Sequence, residues 1–396
     1  MMSENDTLRM GIIGVGNMGT GHAKNILAGR CPRIRLTAVA DIAPARLTYF
    51  EKEISAGPAR FSTAEEMLDS GLIDACIVSV PHYDHVRYAV ACMQRGIHVM
   101  VEKPAGVYTA AVREMNAEAD RHPDVVFGMM FNQRTDPVYR KLRELVQSGR
   151  YGRIRRVNWI ITDWYRPQAY YDSGDWRATW SGEGGGVLLN QCPHQLDLLQ
   201  WICGLPVRVD AHMRFGQWHD IEVEDDVTAY LEFEGGATGV FVTSTGDAHG
   251  TNRLEIQMDG ARLIATPGKL SVLEYDESEP EFSAHDTAPF ATVGAHEVPV
   301  ATDGDNPQHV GVLGAFAGAV LDGTPLIADG REGIRGLMLS NAMHLSAFLG
   351  RPVEIPFDEQ EFYDLLMARV ATSRRKTGGA ADAAPADTAG TYGGTR

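Results

Sequence analysis

The sequence predicts an α/β protein with an N-terminal doubly wound parallel sheet and a C-terminal α/β domain that has a large, mainly antiparallel open sheet. Three observations predict this fold class. The chain has 396 residues, too many for one ordinary core. Up to about residue 130, short β-branched runs alternate with amphipathic stretches. From about 206 to 275, strand-like runs follow one another directly.

In the first half, near-continuous apolar runs are separated by helix-like segments, which indicates a parallel sheet covered on both faces. The strand-like runs are LRMGIIGVG, RLTAVAD, DACIVSVP, HVMVEKP and VVFGMMFN. The helix-like segments between them include NMGTGHAKNILAG, TAEEMLDSG and HYDHVRYAVACMQRG. We assign residues 1–131 to this first domain.

In the second half, the strand-like runs DDVTAYLEFE, ATGVFVTST and NRLEIQMDG are joined by turn signals such as EGGA and DGA. Helix patterns return at HVGVLGAFAGAVLDG and REGIRGLMLSNAMHLSAFLG, and each ends in glycine. We assign residues 132–371 to this second domain. Residues 372–396 are rich in Gly, Ala, Pro and Thr without apolar periodicity, so a disordered tail is predicted there.

Composition excludes several classes of function. The formal net charge of −16 repels phosphate backbones, so no nucleic acid partner is expected. No run of about 18 apolar residues occurs, so no membrane span is expected. The five cysteines are dispersed in apolar surroundings and are interpreted as reduced thiols. With no signal peptide at its start, the protein is predicted to be cytoplasmic, and no metal site is predicted.

A glycine turn follows the first strand and opens the first helix. Gly14, Gly16 and Gly19 fit the pattern G-x-G-x-x-G, with Asn17 and Met18 between the last two. In this context the first glycine permits a tight turn, the second admits a pyrophosphate, and the third lets helix and strand pack closely. The turn therefore predicts dinucleotide binding at a helix N-terminus.

Asp41 ends the second strand, where an acidic side chain can bind the ribose hydroxyls of a dinucleotide. It would repel a 2′-phosphate, which favours NAD over NADP. The alternative is that Asp41 caps the helix that follows.

The segment Glu102-Lys103-Pro104 follows a strand at the carboxyl edge of the parallel sheet, where such sheets bind ligands. A lysine beside a nicotinamide ring could hold and polarise a substrate oxygen. Pro81 and His85 lie along the same edge. The alternative is a solvated Glu-Lys pair before a turn.

The stretch GGGVLLNQCPHQLDLLQW, residues 184–201, is apolar apart from a few polar positions. If it is helical throughout, Asn190, His194 and Asp197 share one face with Trp201. Pro193 must either kink this helix or begin it. From the residues alone, a core histidine is the main alternative to a catalytic one.

Aromatic residues are concentrated between 159 and 180, interleaved with charged ones. Flat rings beside fixed donors and acceptors suit a pyranose, although an aromatic subunit interface explains the set equally well. The residues are Trp159, Trp164, Tyr165, Arg166, Tyr170, Tyr171, Asp172, Asp175, Trp176, Arg177 and Trp180.

Together these segments resemble the Gfo/Idh/MocA oxidoreductase family, named for glucose–fructose oxidoreductase and inositol dehydrogenase. The resemblance spans about residues 8–357. It is carried by the glycine turn, V-P-x-x-x-H at 80–85, E-K-P at 102–104 and GGG-x-L-L-N-x-x-x-H-x-x-D at 184–197.

The resemblance implies a Rossmann domain, an open-sheet domain and NAD(P)-dependent oxidation or reduction of a sugar or polyol, in a homodimer or homotetramer. It implies that Pro81, His85, Glu102 and Lys103 join the glycine turn and Asp41 at the cofactor. It also implies that Lys103, His194 and Asn190 are catalytic, and that Trp176 and Arg177 join those three at the substrate. The family frequently has Asp where this chain has Asn190.

These inferences predict an NAD-dependent sugar or polyol dehydrogenase or reductase, in which His194 accepts the hydroxyl proton and Lys103 steadies the oxygen. One alternative is a glycosidase that retains NAD, recognised by net hydrolysis without net NADH. The other is a non-catalytic dinucleotide-binding sensor.

Overall fold

A parallel sheet forms the core of the N-terminal half. The computed structural model describes residues 7–302 and 304–374, and within them this sheet has six strands in the order β3-β2-β1-β4-β5-β6. That order is typical of dinucleotide-binding folds and confirms the predicted doubly wound sheet. The strands are β1 (Leu8–Ile13), β2 (Ile34–Ala40), β3 (Ala59–Phe61), β4 (Ala75–Val78), β5 (His98–Val101) and β6 (Phe127–Met129).

Helices connect these parallel strands, as the alternating pattern predicted. Local sequence sets where they begin: Pro44 lies in the first turn of α2, and the Thr63 hydroxyl caps α3 by accepting from the Glu66 N–H at 3.2 Å. The helices are α1 (Asn17–Leu27), α2 (Pro44–Tyr49), α3 (Ala64–Leu68), α4 (His85–Met93) and α5 (Thr109–Arg121).

The second sheet is large and mainly antiparallel, as predicted. In the described part of the chain its nine strands run β14-β13-β12-β11-β7-β10-β9-β8-β15, and β7–β10 is the parallel pair. Alternation sets the faces: Trp159 is buried, whereas Ile160 is 42 % exposed. The strands are β7 (Ile154–Ile161), β8 (Arg208–Phe215), β9 (Glu224–Glu232), β10 (Thr238–Ser244), β11 (Asn252–Met258), β12 (Ala261–Thr266), β13 (Lys269–Tyr275), β14 (Ala295–Val298) and β15 (Val353–Glu354).

The remaining helices surround this sheet and the first one. α10 and α11 end as predicted, with Gly323 and Gly350 in the left-handed region at φ of 69° and 63°. The helices are α6 (Pro137–Gln147), α7 (Gln168–Asp172), α8 (Pro193–Cys203), α9 (Glu279–His285), α10 (Gln308–Asp322), α11 (Gly333–Leu349) and α12 (Glu359–Thr372).

Helix α10 returns to the first sheet, which the division at residue 131 did not anticipate. Its buried residues Leu313 and Phe316 belong to the same apolar cluster as Met10 and Ile12 of β1. A parallel sheet needs cover on both faces, and here a late segment of the chain supplies part of it.

The predicted tail begins too early. Thr372 is the last residue of α12, and the Ser373 hydroxyl donates to Glu222 at 2.6 Å while accepting from the Ser181 N–H at 3.1 Å. Residues 372–374 therefore belong to the fold. The rest of the predicted tail, 375–396, lies outside the described residues.

Within residues 7–302 and 304–374, no helix has both the length and the apolar character needed to cross a bilayer. The same part of the chain contains no cluster of three or more His, Cys, Asp or Glu side chains arranged as a metal site. The five cysteines carry free thiols.

Candidate active site

The glycine turn joins β1 to α1 at the carboxyl edge of the first sheet. Gly14 has a φ of 89°, and a Cβ there would lie 2.2 Å from the carbonyl oxygen of Ser79. A Cβ on Gly19 would lie 1.9 Å from the carbonyl oxygen of Gly14. Packing within the chain therefore requires glycine at both positions.

Gly16 differs because the chain leaves space in front of it. The atoms within 4 Å of a Cβ placed there belong to the end of the flexible Arg46 side chain. Gly16 is also the N-cap of α1, where no side chain caps the N–H groups and the first turn has no acidic residue. An anion can therefore approach this backbone, so the residues present fit the pyrophosphate of a dinucleotide.

Asp41 follows β2 and faces the glycine turn. Its two oxygens accept from the N–H groups of Val15 and Ala43, both at 2.9 Å, and the Arg46 guanidinium lies 4.0 Å away. The carboxylate thus stabilises backbone just ahead of α2, but it does not cap that helix, whose N-cap is Ala43 without a side-chain cap bond. It also lies beside the turn, where ribose hydroxyls bind in dinucleotide folds.

Lys103 bridges the two halves of the molecule. Its Nζ donates to the carbonyl oxygen of Asn190 at 2.8 Å. Burial lowers the pKa of Lys103, and the carboxylate of Glu102 opposes that shift. Lys103 is therefore a desolvated ammonium at the domain junction rather than a solvated surface charge.

Glu102 anchors this segment to α1, the helix that follows the glycine turn. Its Oε1 lies 2.6 Å from Nε2 of His22 on α1, and both side chains are buried. Its Oε2 accepts from the backbone N–H of Lys103 at 3.1 Å. Burial alone would raise the pKa of Glu102, but the hydrogen bond and positive charge of His22 lower it to about 2. The carboxylate therefore fixes the position of Lys103 relative to the glycine turn.

His85 holds the backbone of the same edge. Its Nδ1 lies 2.6 Å from the carbonyl oxygen of Pro104, and its Nε2 lies 2.8 Å from that of Val80. Both ring nitrogens therefore face backbone, which ties the loop after β4 to the loop after β5. Pro81 lies in the loop after β4, where it begins the short helical turn that leads into α4. This contact between loops was not predicted.

His194 occupies the first turn of α8, which Pro193 begins rather than kinks. Its ring meets Phe131 edge-on at a centroid distance of 6.3 Å. Burial holds the pKa of His194 well below its ordinary value, and the positive charge of Lys103 acts in the same direction. The ring is therefore neutral near pH 7 and able to accept a proton.

The predicted polar face of one continuous helix is wrong. Cys192 is the N-cap of α8, with φ and ψ of −99° and 10°, so Asn190 lies in the turn before the helix. Pro193 lacks the N–H that continuation from Asn190 would need. Asn190 reaches the site from this turn through its backbone bond to Lys103.

A buried carboxylate, Glu183, fixes the side chain of Asn190. Asn190 Nδ2 donates to Glu183 Oε1, and the Ala178 N–H donates to Oε2 at 2.6 Å. The Tyr170 hydroxyl donates to Asn190 Oδ1 at 3.3 Å. Burial raises the pKa of Glu183, and the charge of Arg177 opposes the shift. Sequence analysis missed Glu183, although an acid directly before three glycines is a signal that could have found it.

Asp197 points away from this site and has a structural role. Its two oxygens accept from Nη2 and Nε of Arg134 at 2.7 and 2.8 Å, and both side chains are 1 % exposed. Arg134 also pairs with Glu332 and lies 5.1 Å from the ring of Trp201. This pair fixes α8, and hence His194, to the segment that follows the first sheet.

The aromatic segment divides between core and site. Trp159 and Trp180 are buried in the core, so neither the pyranose site nor the subunit interface considered for this segment applies to them. Trp176 stays partly exposed, with its ring 5.7 Å from His82 and 4.7 Å from the guanidinium of Arg177. Arg177 donates to the Tyr170 hydroxyl at 2.9 Å. The structure thus brings Trp176 and Arg177 into one network with Asn190 and Lys103.

Two family models match the chain in the order of its two sheets. Residues 8–129 match the model described as an oxidoreductase family with an NAD-binding Rossmann fold. Residues 139–264 match the model of the GFO/IDH/MocA C-terminal domain, and together the two matches cover more than half of the chain. The chain belongs to the Gfo/Idh/MocA oxidoreductase family.

Relatives within the Gfo/Idh/MocA family include enzymes named for diols and inositols. A 1-carboxy-3-chloro-3,4-dihydroxycyclohexa-1,5-diene dehydrogenase of Comamonas testosteroni is 30 % identical over 245 residues, which are 61 % of this chain and 59 % of that protein. A myo-inositol 2-dehydrogenase of Thermotoga maritima is 27 % identical, over 65 % of this chain and 75 % of that protein.

Solved structures of similar proteins share the two-sheet fold. The WlbA dehydrogenase of Chromobacterium violaceum, in complex with NADH and UDP-GlcNAcA, has a TM-score of 0.75 at 26 % identity, covering 90 % of this chain and 98 % of that one. A levoglucosan dehydrogenase in complex with NADH has a TM-score of 0.73 at 19 % identity, over 89 % of this chain and all of that one, and shows the fold alone.

Proposed function

We propose that this chain is an NAD-dependent dehydrogenase or reductase that acts on a secondary hydroxyl of a sugar, sugar derivative or inositol. The proposal rests on one observation above all. A desolvated ammonium, Lys103, lies at the edge of the sheet that carries the glycine turn, and its charge acts on the neutral ring of His194. The names of the diol and inositol dehydrogenases among the similar proteins support it.

In the oxidative direction the neutral His194 ring accepts the proton of the substrate hydroxyl, and the Lys103 ammonium donates a hydrogen bond to the same oxygen. The bond from Lys103 to the Asn190 carbonyl holds the ammonium in place. When bound, the cofactor supplies the hydride acceptor. The protein contributes alignment, through the turn before α8 and the contact between Glu102 and His22.

The test is incubation of the purified protein with NAD⁺ and a panel of sugars, sugar derivatives and inositols, with NADH read by absorbance. At least one compound is expected to give stoichiometric NADH. Intact NAD binding with no turnover of any compound would instead favour a sensor. Hydrolysis of a glycoside without net NADH would favour a redox glycosidase.

We expect kcat/KM for oxidation to follow a bell-shaped pH profile. Activity rises with pH through the pKa of His194, which must be neutral, and that pKa lies below 6.5. It falls as pH rises through the pKa of Lys103, which must be protonated and lies below 10.5. His194→Asn should remove the acidic limb and keep the alkaline one. An acidic limb that survives this substitution would assign the proton acceptor to another group.

Wild-type protein is expected to bind NADH more tightly than NADPH, and Asp41→Asn is expected to improve NADPH binding relative to NADH by about tenfold. The amide keeps one of the two backbone acceptors and removes the charge, leaving Arg46 free to pair with a 2′-phosphate. Titration calorimetry with both cofactors measures the ratio. The double variant Asp41→Asn/Arg46→Met should lose this improvement in NADPH binding. Tighter binding of NADPH than of NADH by the wild-type protein would contradict the assignment of Asp41 to the ribose hydroxyls.

Asn190→Asp is expected to create a new alkaline limb in the profile. The new carboxyl would replace the amide that donates to Glu183, and two carboxyl groups in contact cannot both ionise without repulsion. As pH rises and the shared proton leaves, kcat/KM should fall by about tenfold. Asn190→Asp/Glu183→Gln should restore it, because the glutamine amide becomes the donor. An unchanged profile in the single variant would mean that Glu183 does not orient residue 190.

A further inference from the structure

Two guanidinium groups lie against one tyrosine ring at the candidate site. The Cζ atoms of Arg177 and Arg166 are 4.6 and 5.2 Å from the centroid of Tyr170. Arg177 also lies 4.7 Å from the ring of Trp176 and donates to the Tyr170 hydroxyl at 2.9 Å. Stacking of this kind pre-orients a guanidinium and leaves N–H groups at its edge able to donate.

These arginines lie in the same hydrogen-bonded chain as Lys103. Lys103 Nζ donates to the Asn190 carbonyl, Tyr170 donates to the Asn190 side chain, and Arg177 donates to Tyr170. One asparagine and one tyrosine hydroxyl thus separate the ammonium from the guanidinium. The charges of Arg166 and Arg177 both act on Lys103, lowering its pKa beyond the effect of burial.

No carboxylate neutralises this pair by direct contact. Among residues 7–302 and 304–374, the hydrogen bonds of both guanidinium groups go to uncharged oxygens, from Arg166 to the Tyr165 carbonyl at 2.9 Å and from Arg177 to the Tyr170 hydroxyl at 2.9 Å. The charge of Glu183 acts on Arg177, but its oxygens accept from the Ala178 N–H and the Asn190 amide. Asp163 is close enough to Arg166 for their charges to interact, without a bond between them. The remaining donors of the two guanidinium groups are therefore available to an anionic ligand.

We propose that the substrate is a sugar acid whose carboxylate binds Arg177 and Arg166 over the ring of Tyr170, while its reacting hydroxyl lies at Lys103. This inference rests on the proposed function and narrows its substrate class. A guanidinium presents a planar fork of donors that matches the two oxygens of a carboxylate. A neutral sugar would offer no counter-charge to the two guanidinium groups, which are only partly exposed to water.

Titration calorimetry on the NADH-loaded protein tests this with D-glucuronate, D-glucose and D-glucose 6-phosphate as probes. D-glucuronate is expected to bind about tenfold to a hundredfold more tightly than D-glucose. Arg177→Met should abolish that difference. Arg166→Met should reduce the difference partly. Arg156→Met is the matched control, since Arg156 is exposed on the outer face of β7, and should preserve it.

Several results would overturn the inference: equal or weaker binding of D-glucuronate, tighter binding of D-glucose 6-phosphate, binding of none of the three probes, or a preference for D-glucuronate that survives Arg177→Met. Failure of the proposed function is distinguishable from these. If D-glucuronate binds as expected but no compound of the panel yields NADH, the sugar-acid site stands and the dehydrogenase activity is disproved.

Discussion

Replacing Lys103 with methionine is expected to lower kcat/KM by more than about a hundredfold while NAD affinity stays nearly unchanged. The methionine keeps most of the volume and the apolar stem but loses the ammonium that donates to the Asn190 carbonyl. The substrate oxygen then has no positive partner, whereas the glycine turn that binds the cofactor is untouched. Steady-state kinetics and NADH titration measure the two quantities separately.

Lys141→Met is the matched control, because Lys141 pairs with Glu144 on the surface of α6 and should keep full activity. Thermal unfolding of the Lys103→Met protein should show an intact fold, since burial of an ammonium carries a desolvation cost that methionine avoids. Near-normal kcat/KM of the Lys103→Met variant would mean that Lys103 has a structural role and does not act on the substrate oxygen.

Asp197→Ala is expected to reduce the free energy of unfolding by about 3 to 5 kcal/mol. The substitution leaves the buried guanidinium of Arg134 without the carboxylate that accepts two of its hydrogen bonds. The remaining partner, Glu332, is itself 32 % exposed and compensates only in part. Urea unfolding followed by circular dichroism measures the loss.

The control is the double variant Arg134→Met/Asp197→Ala, which removes both charges and should be less destabilised than Asp197→Ala alone. If the single substitution costs no more than the double one, the ion pair does not hold α8 in place. The position of His194 would then depend on apolar packing alone.

The sequence could predict the features that depend on neighbouring residues. Alternation of apolar runs and helix signals located the parallel sheet, and the glycines located the phosphate-binding turn. It could not decide whether Pro193 kinks or begins a helix, because both outcomes satisfy the geometry of proline. That ambiguity misplaced Asn190 on the face of His194.

The sequence could not predict side-chain contacts that depend on how distant parts of the chain fold together. Asp197 was predicted to share a helix face with Asn190 and His194, and only its contact with Arg134 reveals a structural ion pair. The contact between His22 and Glu102 spans 80 positions, and no local pattern indicates it. Glu183 is seven positions from Asn190, yet it meets that side chain because a non-helical turn folds back.

The return of α10 to the first sheet has a consequence for biosynthesis. At translation rates of about 5–20 residues per second, the interval between residue 131 and residue 322 is on the order of ten seconds or longer. During that interval the nascent N-terminal sheet exposes the apolar surface around Met10 and Ile12 that Leu313 and Phe316 later cover. Such a surface is a target for chaperones and a route to aggregation. The N-terminal sheet therefore completes its folding only after α10 has been synthesised.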